Sequence, residues 1–536
     1  MRRVASFKPY LWLLLLLLIF EAMACGMIIC RPLKMAVAFT VIDDAMYYPK
    51  IAYNIVNHGM MSYDGITVTN GFHPLYLFFL LPIYYFITDP LIALKAVYVF
   101  GCLILTGALI LFFMISRKLR FSTSGLFVSL FILLLNIRSF TIFFSLLECH
   151  LVLISYLTYV LFSVSVEDKR FASGKFAFLN GLIIGIAFLA RLDSFLLAVA
   201  YAAVLIGRTA KGKQSWASFV TAGICSAAGT LIFALPYLAV NYFYFGHLSS
   251  VSAWQKVEAA PSLYTLLTPL NLLYHQYIPR VQYILGLQSV PSWLVGGAAL
   301  VGMLMGVLYV FSGDRLLRMK RALPSIGDFV VFACFHAIFI CLFAPDDAAA
   351  SAWYWVPELV VISLIAGITV SDVEIYKLKV LPLAVIILLI GQAFFYPHFV
   401  KRKTMTWAKL EVAEYIGKNL PTDIMYAMYD PGVVSYFSQR NFIALNGLVG
   451  DFKLAAMIRN GDYRDVIDKY SVKVLVLDVP ETILARIPGE KLFITKTKTK
   501  FTDFSEPEKL FVIFRITPGE FQKIWDIRYG KSQGVN

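Results

Sequence analysis

Two adjacent carboxylates, Asp43 and Asp44, open a polar stretch just beyond a long apolar run. A carboxylate in that position can take the proton of an attacking hydroxyl, or help hold a divalent cation beside a phosphate. Neighbouring side chains on a helix do not share a face, so the two acids could divide those roles. The competing reading is structural. Ala45, Tyr48, Ile51, Ala52 and Ile55 recur at helical spacing, which predicts an amphipathic helix at the membrane interface that either acid could cap. Asn70-Gly71-Phe72-His73-Pro74 closes the same stretch. His73 can donate to a phosphate or acceptor oxygen and can exchange a proton near neutral pH. Gly71 permits a tight turn and Pro74 suits a first helical turn, so capping and packing account for this group as well. Lys50 can contact a donor phosphate or snorkel to lipid headgroups. Tyr63, Asp64 and Gly65 read as a turn.

Other candidates lie further along. Arg191 and Asp193 sit inside the apolar segment 176–206, where charge is costly and needs a polar cavity or a partner. At a spacing of two they are not expected to pair on one helical face. The loop 242–290 offers His247, Trp254, Lys256, Glu258, His275 and Arg280; Arg280 is the choice for bidentate phosphate recognition, against an ordinary headgroup-facing role. Trp353 and Tyr354 can stack on a sugar or a lipid, or simply belong to an interfacial aromatic belt.

The elements that must position these residues are membrane helices. The chain has 536 residues, 59% of them apolar and only 15% charged, with a mean hydropathy of +0.74. Soluble domains carry nearer a quarter charged residues. Apolar runs predict about eleven spans, near 10–31, 74–88, 91–115, 121–136, 139–162, 176–206, 217–241, 291–311, 327–344, 356–371 and 378–396. The formal charge of +14 fits cytoplasmic anchoring and attraction to anionic lipid or phosphate; no basic-aromatic platform for nucleic acid is present. The seven cysteines are scattered without a CxxC, which indicates neither a zinc knot nor a disulfide framework.

Arg2, Arg3 and Lys8 place the N-terminus in the cytoplasm, ahead of a first helix that reads as retained rather than cleaved. Alternation then puts Arg138, the Arg208/Lys211/Lys213 loop and the Arg315/Arg318/Lys320/Arg321 loop inside. The loops 32–73, 242–290 and 345–355 fall outside. Arg117, Lys118 and Arg120, and the Lys401–Lys403 cluster, disagree with this assignment. Beyond position 396 charges become frequent, and strand-sized runs such as 472–477 (VKVLVL) and 510–516 (LFVIFRI) alternate with helical candidates at 407–418 and 451–459. A small α/β domain over 397–536, outside the membrane on the side of the first loop, is expected.

The pattern D-D-A-x-Y-Y…A-x-N…H-G…Y-D-G-x…T-N-G-F-H-P-L, running from Asp43 to Leu75, resembles bacterial members of the GT-C superfamily of membrane glycosyltransferases. The stretch Tyr429-Asp430-Pro431-Gly432-Val433-Val434-Ser435-Tyr436-Phe437-Ser438, followed by Leu445-Asn446-Gly447-Leu448-Val449, is similar to the start of the tail in such proteins, which often carry Asp-Gly where this chain has Asn446-Gly447. The resemblance also covers the Arg191-x-Asp193 motif. It implies a polytopic α-helical, GT-C-like membrane body over 1–396, carrying the first outer loop 32–73, with the extracytoplasmic α/β domain over 397–536. It also implies a bacterial inner membrane location and an inverting transfer of sugar from a polyprenyl-phosphate donor to a hydroxyl of a lipid, glycan or protein. Asp43 or Asp44 would inherit the acidic role, with Mg2+ or Mn2+ a candidate partner for both, and no organic cofactor is expected. Lys50, Asn70, His73, Arg191, Asp193, Arg280, Trp353 and Tyr354 are the substrate-binding candidates.

The main rival is a lipid or glycan transporter or flippase without covalent chemistry, which would spread polar residues along a path through several spans. An assembly protein binding through its tail would tolerate loss of both acids. A lipid phosphotransferase would differ in what leaves with the donor lipid. No glycine-rich nucleotide motif precedes an α/β unit on the cytoplasmic side, which disfavours a nucleotide-sugar donor.

Overall fold

Helices, most of them apolar, form the body of the chain over the described residues up to 371, and some approach one another through their backbones. In the computed structural model the described residues are 29–135, 142–166, 173–257, 313–345, 351–371, 405–496 and 509–529, with a few isolated positions and short gaps. A short helix α1 (Leu33–Thr40) leads into the first loop, which carries a 3-10 turn over Asp43–Met46 and then α2 (Tyr47–His58). There follow α3 (Pro74–Phe86), α4 (Pro90–Lys118), α5 (Thr123–Leu130), α6 (Cys149–Ser165), α7 (Gly174–Ala190), α8 (Leu196–Ala210) and α9 (Trp216–Val240). A surface helix α10 (Val251–Lys256) precedes α11 (Gly313–Phe343) and α12 (Val356–Val370).

Local chemistry fixes several helix ends. Asp89 accepts from the amides of Leu91 and Ile92 at 2.8 and 3.0 Å and so caps α4, with Pro90 in the first turn. Helices α7 and α9 cross closely because a Cβ on Gly181 would lie 2.1 Å from the Ser226 carbonyl oxygen, and one on Gly229 2.3 Å from that of Phe178. Small residues at a crossing are how helices gain van der Waals contact where water supplies no hydrophobic drive.

The described residues do not bear out the expectation of eleven spans. Among the described residues five helices are long and apolar enough to cross a membrane: Pro90–Lys118, Leu192–Ala210, Trp216–Phe245, Ala322–Phe343 and Trp353–Val370. Four apolar helices are shorter: Pro74–Phe86, Thr123–Leu134, Cys149–Ser165 and Gly174–Ala190. The expected span 176–206 is two elements, because Arg191 is extended (φ −158°, ψ 122°) and a 3-10 turn, Leu192–Phe195, follows it. Within the expected span 139–162, turn and bend residues over 144–148 precede the helix that begins at Cys149. Hydropathy counts apolar residues and is blind to such breaks. The expected spans 291–311 and 378–396, and most of 10–31, lie outside the described residues. Cys102 is disulfide-bonded, which the scattered cysteines did not indicate.

The tail is a five-stranded sheet in the order β2-β1-β3-β5-β4, with β1 Met425–Met428, β2 Phe442–Ala444, β3 Val472–Pro480, β4 Glu490–Lys496 and β5 Lys509–Arg515. Strand β1 runs parallel to both β2 and β3, while β5 runs antiparallel to β3 and β4, with Leu475 opposite Phe514. The two apolar runs legible in sequence are thus partners at the centre of the sheet. Helices α13 (Met405–Asn419), α14 (Gly432–Ser438), α15 (Phe452–Arg459), α16 (Tyr463–Lys469), α17 (Glu481–Leu484) and α18 (Pro518–Tyr529) complete the unit. One side of this sheet and helix α14 share a continuous apolar core with the membrane helices, where the Tyr84 and Tyr436 hydroxyls meet at 2.6 Å.

Candidate functional site

The two neighbouring acids are used differently. Asp43 turns toward the tail: its Oδ2 accepts from the Gly432 amide at 2.9 Å, its Oδ1 from the Val433 amide at 3.2 Å, and Lys409 Nζ lies 3.0 Å from Oδ1. It caps α14 across the chain rather than its own helix, and a Cβ on Gly432 would lie 2.1 Å from the Asp43 carbonyl oxygen. Burial pushes the Asp43 carboxyl above its ordinary range, and Lys409 is the main counterweight. Asp44 turns the other way, with Oδ2 3.9 Å from Lys256 Nζ at the end of α10.

From Lys256 a chain of polar contacts leads toward the helices. Lys256 Nζ donates to the Tyr354 hydroxyl at 3.3 Å, and the Arg191 guanidinium stacks over the Tyr354 ring at 4.2 Å. Arg191 Nη1 donates to Glu148 Oε1 at 3.1 Å and its Nε to Asp193 Oδ2 at 2.8 Å. The pairing at a spacing of two, not expected on a continuous helix, is possible because the helix breaks at Arg191. Glu148 also accepts from the Tyr48 hydroxyl at 3.1 Å and faces His73 Nε2 at 3.5 Å. On the other side His336 lies between Asp193 Oδ2 at 3.5 Å and Glu358 Oε1 at 2.9 Å. Burial lowers the pKa of His73, so its ring is neutral at physiological pH. His73 Nδ1, Asp193 Oδ1 and Glu358 Oε2 are buried with no partner among the protein atoms. Buried polar atoms are nearly always satisfied, so this cluster is built to meet water or a polar ligand.

Of the candidates from sequence, the structure brings Asp44, His73, Arg191, Asp193 and Tyr354 into this one cluster, with Trp353 beside Tyr354. It places Asn70 elsewhere: the amide donates to Asn241 Oδ1 at 3.2 Å and the Ser249 carbonyl at 3.3 Å, while its oxygen accepts from the Val251 amide at 2.8 Å. Asn70 therefore ties the first loop to the segment that carries Lys256. Lys50 is buried beside Tyr53 and near Arg440 of the tail, and its pKa is lowered to about 8, first by burial and then by Arg440. Asp64 forms a turn, accepting from the amides of Ile66 and Thr67 at 2.8 and 2.7 Å. Arg280 lies outside the described residues.

The sequence does not single out Glu148, His336 or Glu358, and it favours Arg280 over Lys256. All three missed residues interrupt or flank apolar runs, so the test of depth that singled out Arg191 would have found them. Asp43 and Asp44 do not fit a shared Mg2+ or Mn2+: both Asp43 oxygens already accept hydrogen bonds, which leaves one carboxylate facing the cluster. Among the described residues no group of three or more His, Cys, Asp or Glu side chains could hold a metal ion.

The overall fold is shared with solved structures of membrane proteins. The chain is similar to the crystal structure of ArnT from Cupriavidus metallidurans bound to undecaprenyl phosphate, with a TM-score of 0.50 and 12% identity, over 92% of this chain and 97% of that one. It is also similar to the archaeal oligosaccharyltransferase AglB from Archaeoglobus fulgidus, in complex with an inhibitory peptide and a dolichol-phosphate, with a TM-score of 0.50 and 14% identity, over 88% of this chain and 70% of that one. Residues 398–524 match a family described as a domain of unknown function (DUF8728). No curated protein matches the sequence.

Proposed function

We propose that the chain is a glycosyltransferase that moves a sugar from a polyprenyl-phosphate donor to a hydroxyl of a lipid, glycan or protein acceptor. The reaction is placed at the outer face of a bacterial inner membrane, with the N-terminus cytoplasmic and the 397–536 domain outside. The observation that carries this reading is the opposition of Asp44 and Lys256 at 3.9 Å, backed by Arg191 through the Tyr354 ring. ArnT and AglB, which share the fold, are described in complex with undecaprenyl phosphate and dolichol-phosphate respectively.

Asp44 takes the proton of the acceptor hydroxyl as its oxygen attacks the anomeric carbon. The bond from that carbon to the donor phosphate oxygen breaks with inversion, and the lipid phosphate leaves carrying the electron pair. Lys256 and Arg191 supply fixed positive charge where that negative charge develops. Glu148 and Asp193 hold Arg191, so its guanidinium pays no reorganisation during the step. His73, neutral and with Nδ1 unpartnered, offers a hydrogen bond to donor or acceptor.

The test is transfer by purified protein in liposomes, using radiolabelled polyprenyl-phosphate sugars, a native membrane extract as acceptor, and a chelator arm that reads any metal requirement. Label transfer with release of lipid phosphate, lost in Asp44→Asn, supports the proposal. Label that crosses the bilayer still joined to its lipid, in wild type and Asp44→Asn alike, replaces it with the flippase reading.

A further inference from the structure

We infer that the tail domain is the clamp that holds the two jaws of the site, Asp44 and Lys256, at their working separation. This role rests on the glycosyltransferase reading only for its catalytic consequence; the clamp itself is geometric.

The first jaw is the 3-10 turn over Asp43–Met46. It is gripped from the tail by the Gly432 and Val433 amides and by Lys409, all on Asp43, the residue before Asp44. Lys409 also donates to the Asp430 carbonyl at 2.9 Å, so one buried ammonium joins α13, the start of α14 and the first loop. Asn446 adds a second grip, donating to the Tyr47 hydroxyl at 2.8 Å and to Asp430 Oδ1 at 2.7 Å.

The second jaw is the segment 247–257, whose helix α10 ends at Lys256. Arg459, the last residue of α15, donates to the Trp254 carbonyl and the Val257 carbonyl, each at 3.2 Å, on either side of Lys256. Its guanidinium also stacks over the Trp254 ring at 4.8 Å, and His247 stacks on Phe452 at 3.9 Å. Arg459 thereby fixes the backbone carbonyls at the C-terminal end of α10, where a cation is favoured by the exposed carbonyls.

One tail turn lies between the jaws. Asn446-Gly447 turns with Gly447 at φ 73°, and a Cβ there would lie 3.3 Å from the Gln255 side chain. The next residue, Leu448, brings its carbonyl so close to Gly71 that a Cβ on Gly71 would lie 2.1 Å from it. The one turn therefore touches the first loop at Tyr47 and Gly71 and the second jaw at Gln255, beside Lys256. Asp44 and Lys256 form an ion pair at 3.9 Å, longer than a hydrogen bond, and the contacts from the tail on the residues beside each of them add to what fixes that spacing.

The experiment reads the jaws without relying on turnover. Wild type, Arg459→Ala, Arg459→Lys and Lys409→Met are purified as full chains. The rate of Lys256 acylation by an amine reagent and the hydrogen exchange of 43–47 and 251–257 are followed by mass spectrometry. Lys418, largely exposed and paired with Glu414, is the internal control. In Arg459→Ala, acylation of Lys256 should rise several-fold and exchange of 251–257 should quicken, with Lys418 and the α8 span unchanged and Arg459→Lys intermediate. Lys409→Met should quicken exchange of 43–47. Unchanged labelling and exchange in both Arg459→Ala and Lys409→Met would overturn the clamp, whatever the transfer assay gives. If the jaws loosen but wild type transfers no sugar, the clamp stands and the glycosyltransferase reading fails.

Discussion

Arg191 Nη1 and Glu148 Oε1 lie 3.1 Å apart, both buried, and join the break between α7 and α8 to the start of α6. Removing one partner of a buried pair leaves an uncompensated charge, which costs about 3–5 kcal/mol. Glu148→Ala and Arg191→Ala should each lower the unfolding temperature in detergent strongly. The double variant should cost less than the two singles together, by about 0.5–3 kcal/mol. Strict additivity would mean that each residue is held by its other partners, Tyr48 and Asp193.

The two acids of the first loop should separate by phenotype. Asp44→Asn should abolish transfer while lowering stability less than Asp43→Asn does, since Asp43, not Asp44, accepts the Gly432 and Val433 amides and pairs with Lys409. Asp43→Asn should lower stability and speed proteolysis between bundle and tail, because it weakens the cap on α14 and leaves Lys409 without its carboxylate. Thermal unfolding and transfer measured on the same preparations check both. Loss of transfer in Asp43→Asn at full stability would reverse the roles.

Much of this site was legible as residue types, and little of it as geometry. Asp43 and Asp44 stand out as a pair in the sequence, but which one turns to the polar cluster depends on Lys409, Gly432 and Val433, brought back by the tail from the far end of the chain. Arg191 and Asp193 were flagged by depth. Their pairing was not foreseen because the spacing rule assumes a continuous helix, and the chain breaks at Arg191. Asn70 is a candidate through its match to the loop pattern, and its amide secures the 241–251 segment, a contact that no sequence spacing reveals. The strands of the tail were readable because 472–477 and 510–516 are short, wholly apolar runs suited to the centre of a sheet. The count of spans failed where helix continuity, not hydropathy, decides.

Gly432 has a packing reason to be glycine. A Cβ would lie 2.1 Å from the Asp43 carbonyl oxygen, a backbone atom that cannot swing away. Gly432→Ala should therefore destabilise the loop–tail contact by about 1–3 kcal/mol, the usual range for overpacking. It should quicken hydrogen exchange at 43–47 as Lys409→Met does. A stable variant with unchanged exchange would show that the turn can shift to accept a methyl group.

Lys50 should make stability depend on pH in the alkaline range. Its folded pKa is lowered from 10.5 to about 8 by burial. Below pH 8 the residue is charged in both folded and unfolded chains, and folding bears the full cost of burying an ammonium, at most about 3 kcal/mol from a shift of that size. Between pH 8 and 10.5 the folded chain releases its proton first, the unfolded chain binds more protons, and stability rises with pH. Above that window the cost is gone. Lys50→Met should thus be more stable than wild type at neutral pH, with the advantage shrinking steadily as pH climbs through the same window. Paired thermal unfolding of the two proteins in detergent, from neutral pH to 10.5, reads this directly. A constant difference across the range would assign the effect to side-chain packing against Tyr53 rather than to buried charge.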